Sequence, residues 1–254
     1  MTPKVTVVMT AYNARSTIAA AVESVLQQSF TDLELLVLDD GSSDETVAAL
    51  AAITDPRLRV EIRAHRGRPA ALNEALTLAI GEYIALNDAD DASLSDRIAQ
   101  QVAYLDEHPD IAAVGGQLIA TDGHRQWALR WPTSPIEIAR ALDAGRMPIS
   151  NACVMMRRDW LQQVGGYNES HTRLEDLELF HRTRRTAQFA ALPTTVLVYR
   201  FRTFSYQQWA HEEQLRAAIT NTSVRTGVLA YARYRIAVAA QRAGVAMTRS
   251  RRRS

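Results

Sequence analysis

Three carboxylates within four residues, Asp88, Asp90 and Asp91, follow directly on Asn87 and the apolar run Tyr83-Ile84-Ala85-Leu86. Like charges packed this closely raise one another's pKa and cost free energy unless a cation sits among them. Hard oxygen donors of this kind suit Mg²⁺ or Mn²⁺; the rival reading is a solvated acidic loop. A second acidic pair, Glu175-Asp176, stands in the segment RLEDLELFHR. On a helix Asp176 points away from the side that Leu177 and Phe180 would bury. Glu175 also suits a purely structural role at the positive end of the helix dipole. Two further segments carry polar groups where chemistry needs them, Thr10-Ala11-Tyr12-Asn13 and Asp39-Asp40-Gly41-Ser42. Asp-Gly-Ser is also common turn chemistry, and Asp before a helix is commonly a cap.

The elements around these residues give them a shared location. Residues 4–10, 33–38, 58–62 and 83–86 read as strands, and 16–28 and 69–80 as helices with apolar residues at helical spacing. Between the second and third strands, Ser42 three residues before Glu45 predicts a capped helix start. The outcome is β-α-β-α-β-α-β with short connections, hence a parallel, doubly wound sheet with helices on both faces. Ligands of such sheets bind beyond the carboxyl ends of the strands. Segments 10–13, 39–42 and 87–91 all fall there, and that coincidence favours a site over three unrelated turns. Later, 94–107 predicts a helix and 111–119, 152–156 and 195–201 predict strands. Ser134-Pro135-Ile136-Glu137 repeats the capping signal, now with Pro at the first helical position. An Ala-rich helical pattern fills 206–247. The organisation read from this is an α/β domain over 1–203 with a helical extension and basic tail over 204–254.

Composition narrows the function classes. The 254 residues carry a formal charge of +1, which makes no case for a nucleic-acid partner. A single cysteine, Cys153, excludes an internal disulfide and a thiolate metal cluster, in keeping with a reducing compartment. Strand-like sequence by Val5 predicts no secretory leader, and the lack of an apolar run of about 18 residues predicts no membrane span. The expected location is cytoplasmic. For 228–247 two readings stand, peripheral contact with a membrane surface or packing on the domain or on a second subunit as a homodimer; for the basic tail they are contact with acidic lipid headgroups or a frayed, solvated terminus. A dinucleotide-binding turn after the first strand needs glycines, and Ala11-Tyr12-Asn13-Ala14-Arg15-Ser16 has none; no phosphate-binding G-x-x-x-x-G-K-[ST] occurs either. A divalent cation on the acidic cluster, bridging it to a diphosphate, takes the place of those loops.

Taken together, VTVVMTAYNARSTIAAAVESVLQQSFTDLELLVLDDGSSDET, GRPAALNEALTLAIGEYIALNDADD and VGGYNES…LEDLELFHR resemble family 2 glycosyltransferases of the GT-A fold. The resemblance runs from about Val5 to Phe201. It implies that Thr10, Ala11, Tyr12 and Asn13 line the nucleotide pocket, with the Tyr12 ring against the base. It implies that Asp40 accepts the N3–H of uracil or thymine, and that Asp90 binds ribose or metal. Asp91 would bind the metal directly, with Asp88 beside it. Arg68 lies where relatives carry a basic residue near base or diphosphate, and His65 is ambiguous. Asp176 falls at the catalytic base, which takes the proton of an acceptor hydroxyl, with Glu175 in support. Where relatives carry a His after the last strand, this chain has Arg202, which suits phosphate better than metal. The implied function is a metal-dependent, inverting transfer of sugar from a UDP- or dTDP-sugar donor to a glycan, lipid-linked or small-molecule acceptor. The alternatives are a sugar nucleotidyltransferase, which lacks its Gly-rich loop here, and a non-catalytic nucleotide-sugar sensor, which has no need of Asp176. Gly165-Gly166-Tyr167 reads as a turn, and Trp131 and Trp160 as packing residues or sugar platforms.

Overall fold

The computed structural model describes residues 2–224 and 228–243. In chain order its elements are β1 (Val5–Ala11), α1 (Ile18–Leu26), β2 (Leu33–Asp39), α2 (Thr46–Ala51), β3 (Leu58–Ile62), α3 (Arg68–Leu78), β4 (Tyr83–Leu86) and β5 (Ala92–Ser93). There follow α4 (Arg97–Glu107), β6 (Ile111–Thr121), β7 (Gln126–Leu129), α5 (Pro135–Asp143), β8 (Met155–Arg157), α6 (Arg158–Gln163), α7 (Glu175–Thr183), β9 (Gln188–Arg200), α8 (Tyr206–Thr220) and α9 (Val228–Arg242).

Strands β1 and β2 are apolar on both sides. Val5, Val7 and Met9 of β1, with Leu33, Leu35 and Val37 of β2, enter one core; Val8, Leu36 and Leu38 enter the other. Strands buried on both faces need helices on both faces. The first core is covered by α1 (Ile18, Val22, Val25) and α4 (Ile98, Val102, Leu105). The second is covered by α3 (Ala71, Leu72, Ala75), α5 (Ile138, Leu142) and α7 (Leu177, Phe180). Among the described residues no helix is long and apolar enough to cross a membrane.

The sheet order is β3-β2-β1-β4-β8-β6-β9-β5, with β7 paired to β6. Strands β3, β2, β1 and β4 are parallel, as the alternation of elements predicts. Strand β8 then joins β4 antiparallel through three residue pairs, Tyr83↔Arg157, Ile84↔Met156 and Ala85↔Met155. Beyond it β6 runs antiparallel to β8, and β9 parallel to β6. The doubly wound, largely parallel half therefore carries a mixed second half.

Several local expectations are corrected. Ser42 does not cap α2: its N–H and hydroxyl turn back to the Asp39 carboxylate at 2.9 and 2.5 Å, and α2 begins only at Thr46. The N-cap position is Glu45, whose side chain makes no capping bond, and Asp44 just before it accepts the Thr46 N–H on Oδ1 at 3.0 Å. Ser134 flanks α5 as expected, but its hydroxyl bonds the Glu137 carboxylate at 2.8 Å rather than a backbone N–H. The strand expected over 195–201 starts at Gln188, because Pro193 falls at a register shift where no ladder N–H is needed. A short 3-10 turn, Asn151–Cys153, replaces the start of the strand expected over 152–156. The long C-terminal helix divides into α8 and α9, the first ended by Asn221 in the left-handed region; the part of that expectation at 225–227 and beyond 243 lies outside the described residues.

One contact fixes how closely the α3–β4 turn approaches β1. A Cβ on Gly81 would lie 2.4 Å from Thr6 N and 2.7 Å from the Val5 carbonyl carbon, both backbone atoms that cannot step aside. Gly81→Ala is therefore expected to lower stability by about 1–3 kcal/mol, measured as the shift in a urea unfolding midpoint at unchanged slope.

Candidate active site

The segments that follow β1, β2 and β4 open on one edge of the sheet and line a cleft of about 410 Å³. Thr10, Ala11, Tyr12, Asn13, Asp40, Arg68, Asp88 and Asp90 all border it, with His65, Arg200 and Arg202. Tyr12 is half exposed and stacks one ring face on His65 at 4.1 Å between centroids. Asp40 is buried. Its carboxylate accepts the Arg66 and Gly67 N–H groups at 2.8 and 2.9 Å, and His65 Nδ1 stands 2.9 Å away. Asp40 thus neither caps a helix nor floats free; it pins residues 65–67. Asn13, in the left-handed region at φ 52°, accepts the Ser43 N–H on its side-chain oxygen at 2.8 Å. It thereby ties the first rim segment to the second.

Asp88, Asp90 and Asp91 each present one oxygen within 4.8 Å of the others. Asp91 is buried; Oδ1 accepts the Arg200 N–H at 2.7 Å, and Oδ2 has no hydrogen-bond partner. Burial and the neighbouring Asp88 charge push the Asp91 carboxyl well above the usual carboxylate range, and burial also raises that of Asp90. A buried orphan oxygen amid three converging carboxylates is the donor set of a hard divalent cation, so the residues fit the ion. Asp88 and Asp90 each also meet a guanidinium, Arg68 at 2.6 Å and Arg202 at 2.9 Å. Behind the loop lies Arg97, fully buried, which donates to Leu86 O, Asn87 Oδ1 and Ser93 Oγ at 2.5, 3.0 and 2.9 Å. Burial pushes Arg97 down to about 10, still cationic at neutral pH.

Glu175 and Asp176 open α7, directly after Leu174 in the left-handed region at φ 58°. A side-chain-bearing residue there costs on the order of 1–2 kcal/mol and occurs where surrounding structure over-determines the backbone. Here Leu174 packs on the second core. Asp176 is half-buried, and Oδ1 accepts the Leu177 N–H at 2.8 Å. Burial, followed by the charge of Glu175, raises the Asp176 carboxyl to about 7. Arg68 joins the two acidic groups: Nε donates to Glu175 Oε1 at 2.8 Å and Nη2 to Asp88 Oδ1 at 2.6 Å. Its Nη1 also reaches Thr10 Oγ1 at 3.4 Å. The Gly165-Gly166-Tyr167 turn behaves as expected of paired glycines, with φ of 79° and 65°, and the Asn73 side chain clasps the Tyr167 backbone from α3.

The structure therefore brings Thr10, Ala11, Tyr12, Asn13, Asp40, Arg68, Asp88 and Asp90 to one cleft, with Asp91 buried beside Asp88 and Asp90 and with Glu175 and Asp176 joined to the rim through Arg68. Trp131 and Trp160 stand apart from it; Trp160 packs on Phe189 in the core. Three participants were not resolved from sequence. His65 is a stacking partner of Tyr12, while Arg200 supplies a backbone N–H to Asp91. The alternation of basic residues in Tyr199-Arg200-Phe201-Arg202, at the end of a strand, was the available signal. Arg97 had no signal: a lone Arg inside an amphipathic helix reads as surface.

A glycosyl transferase family 2 model matches residues 6–165. EpsE of Bacillus subtilis is 33% identical over 187 residues, 71% of this chain and 66% of that protein. The UDP-Glc:alpha-D-GlcNAc-diphosphoundecaprenol beta-1,3-glucosyltransferase WfgD of Escherichia coli is 36% identical over 102 residues, 40% of each chain. The match thus spans two thirds or less of these relatives' lengths. Among solved structures, S. aureus TarS (residues 1–349) superposes with a TM-score of 0.67 at 20% identity, over 87% of this chain and 67% of that one. The mannosyltransferase PcManGT from Pyrobaculum calidifontis superposes at 0.65 and 21% identity, over 95% and 70%. These likenesses give the chain the GT-A fold. With the family model matched over more than half of its length, the chain belongs to glycosyl transferase family 2.

Proposed function

We propose that this protein is a metal-dependent, inverting glycosyltransferase that moves a sugar from a UDP- or dTDP-sugar to an acceptor hydroxyl in surface-glycan or glycoconjugate synthesis. The observation that carries the reading is that Arg68 joins two acidic groups, Asp88 with its neighbours Asp90 and Asp91 on one side and Glu175, next to Asp176, on the other. Residues 1–91 would hold the donor and 92–203 the acceptor. The exposed face of Tyr12 receives the base; aromatic stacking contributes about 1–3 kcal/mol per base. Asp40, held in place by Arg66, Gly67 and His65, retains acceptor capacity for the imide N–H of uracil or thymine. Asp88, Asp90 and Asp91 would hold Mg²⁺ or Mn²⁺, whose charge offsets that of the diphosphate. Arg68, Arg200 and Arg202 line the same cleft and add positive charge there. Asp176 takes the proton from the attacking hydroxyl. With the base opposite the leaving group, attack is in line and the anomeric centre inverts.

The relatives' names support the donor class. WfgD is named for UDP-Glc, TarS was solved with UDP-GlcNAc, and PcManGT with GDP-Man and Mn²⁺. Because the same fold serves a guanine nucleotide in PcManGT, the pyrimidine preference rests on the surroundings of Asp40 and not on the fold.

A panel of nucleotide sugars, read by release of nucleoside diphosphate, tests the reading: turnover is expected with UDP- or dTDP-linked donors alone. Asp176→Asn is expected to slow transfer about 10²–10⁴-fold while leaving nucleotide affinity near wild type; retained turnover removes Asp176 from the role of base. Its carboxyl must be ionised to accept a proton, and its pKa is raised to about 7. The wild-type rate should therefore fall as pH drops below neutrality and level off above it.

The cation has its own signature. UDP or dTDP should raise the melting temperature only with Mn²⁺ or Mg²⁺ present, and Asp91→Asn should abolish that shift. A shift indifferent to chelator, or unchanged in the variant, defeats the metal assignment.

Arg68→Met leaves the buried Glu175 carboxylate without its cation. Partial exposure screens the loss, so destabilisation of about 2–3 kcal/mol is expected, measured by denaturant unfolding. Tyr12→Ala, whose ring lies outside this ion pair, should weaken nucleotide binding without a comparable loss of stability.

A further inference from the structure

Among the described residues, helix α9 is anchored on one side and exposed on the other. Its inner face seats Tyr231 and Tyr234 against Trp209 at 5.5 and 6.0 Å between centroids and buries Val238. Its outer face holds the three most exposed large apolar side chains of the described residues: Leu229 at 81%, Val228 at 78% and Ile236 at 61%. At about 100° per residue, Val228, Leu229, Ala232, Ile236, Ala239 and Ala243 form one continuous apolar stripe. Arg233 borders it along one edge and Arg235 along the other, both exposed.

Charge follows the same division. Residues 228–254 contain seven arginines and no acidic residue, whereas all 28 Asp and Glu residues of the chain precede them. An apolar stripe with basic margins is the pattern of a helix lying in the plane of an anionic bilayer, and arginines near such a surface are attracted to it individually. A second copy of the chain is a poor occupant, since it would bring two such arginine segments together. Nucleic acid would satisfy the arginines but leave the aliphatic centre of the stripe without a partner.

We infer that the outer face of α9, Val228, Leu229 and Ile236 bordered by Arg233 and Arg235, docks on an anionic phospholipid surface. The placement has a consequence for the cleft. Arg242 Nη2 donates to Thr203 Oγ1 at 3.2 Å, and Tyr231 donates to Phe204 O at 2.9 Å. Those residues follow directly on Arg202, which borders the cleft and pairs with Asp90. A bilayer held by the outer face of α9 is thus tied, through the thickness of one helix, to the segment that borders the site, which suits an acceptor carried on a lipid. Only this last step rests on the glycosyl-transfer reading; docking itself does not.

The test is cosedimentation of the full chain with vesicles of phosphatidylcholine alone or mixed with phosphatidylglycerol, which needs neither donor nor turnover. The protein should pellet with the anionic vesicles, less so at high salt, and stay in solution with the neutral ones. Leu229→Asp/Ile236→Asp should abolish pelleting. Arg233→Gln/Arg235→Gln should weaken it about 25-fold, each arginine being worth about fivefold near an anionic surface. Both variants alter exposed positions and should keep the wild-type melting temperature. Failure to pellet with phosphatidylglycerol vesicles overturns the inference, as does full binding by the Leu229/Ile236 variant. A dimer in light scattering that the same variant converts to monomer also overturns it, by assigning the stripe to a second copy. Active transfer to a soluble acceptor by a protein that ignores vesicles would sink the docking surface and leave the enzymatic reading intact.

Discussion

A single guanidinium spans the gap between two groups of carboxylates that would otherwise repel each other across the cleft. Arg68 touches Asp88, at the end of the parallel half of the sheet, and Glu175, on a helix more than a hundred residues later. Buried acids tolerate such proximity only when a cation is shared among them, and the two carboxylates in turn raise the pKa of Arg68 against its burial. The residue is itself delivered by a chain of contacts. Asp40 holds the Gly67 N–H; Gly67 takes a positive φ of 92°; and Arg68 starts α3 pointing into the cleft. The rim around Asp40, the acidic loop and the helix bearing Asp176 are in this way one connected structure.

The acidic loop is supported from behind as well as from the front. Arg97 fills the space beneath it and satisfies the Leu86 carbonyl and the Asn87 and Ser93 side chains, all of which are buried. Removing that side chain would take a donor from the Leu86 carbonyl and the Ser93 hydroxyl, whereas Asn87 Oδ1 would keep the Ser93 hydroxyl at 2.7 Å; a stranded buried acceptor costs about 1–3 kcal/mol. The loop's backbone thus holds its form through groups that take no part in binding a cation. The acidic side chains are left to converge, with Asp91 steadied by the Arg200 N–H from the far strand.

Much of this arrangement could be read from the residues. The β-branched and leucine runs of β1, β2 and β4 identify strands buried on both faces, and their carboxyl ends locate the rim where Asp40 and Asp88 to Asp91 stand. The Glu-Asp pair at the start of α7 was equally visible. What could not be read depends on contacts between distant parts of the chain. Ser42 has the spacing of a cap, yet the nearer Asp39 carboxylate outcompetes the helix for its hydroxyl. Strand β9 passes through Pro193 because β6 accommodates a register shift there. Leu174 adopts a backbone conformation its side chain disfavours, and nothing in a leucine announces that. Arg68 and Arg97 look alike in sequence, each a basic residue at a helix start; one bridges two carboxylates and the other lies sealed in the interior.

The antiparallel join between β4 and β8 is only three residue pairs long. It separates the half that carries Tyr12, Asp40 and the acidic loop from the half that carries Asp176. The family model extends just past this join, to residue 165, and stops before α7. The two halves are thus held together less by this ladder than by the two cores that run across it and by Arg68, so side chains on the rim of the second half can change without loosening the first.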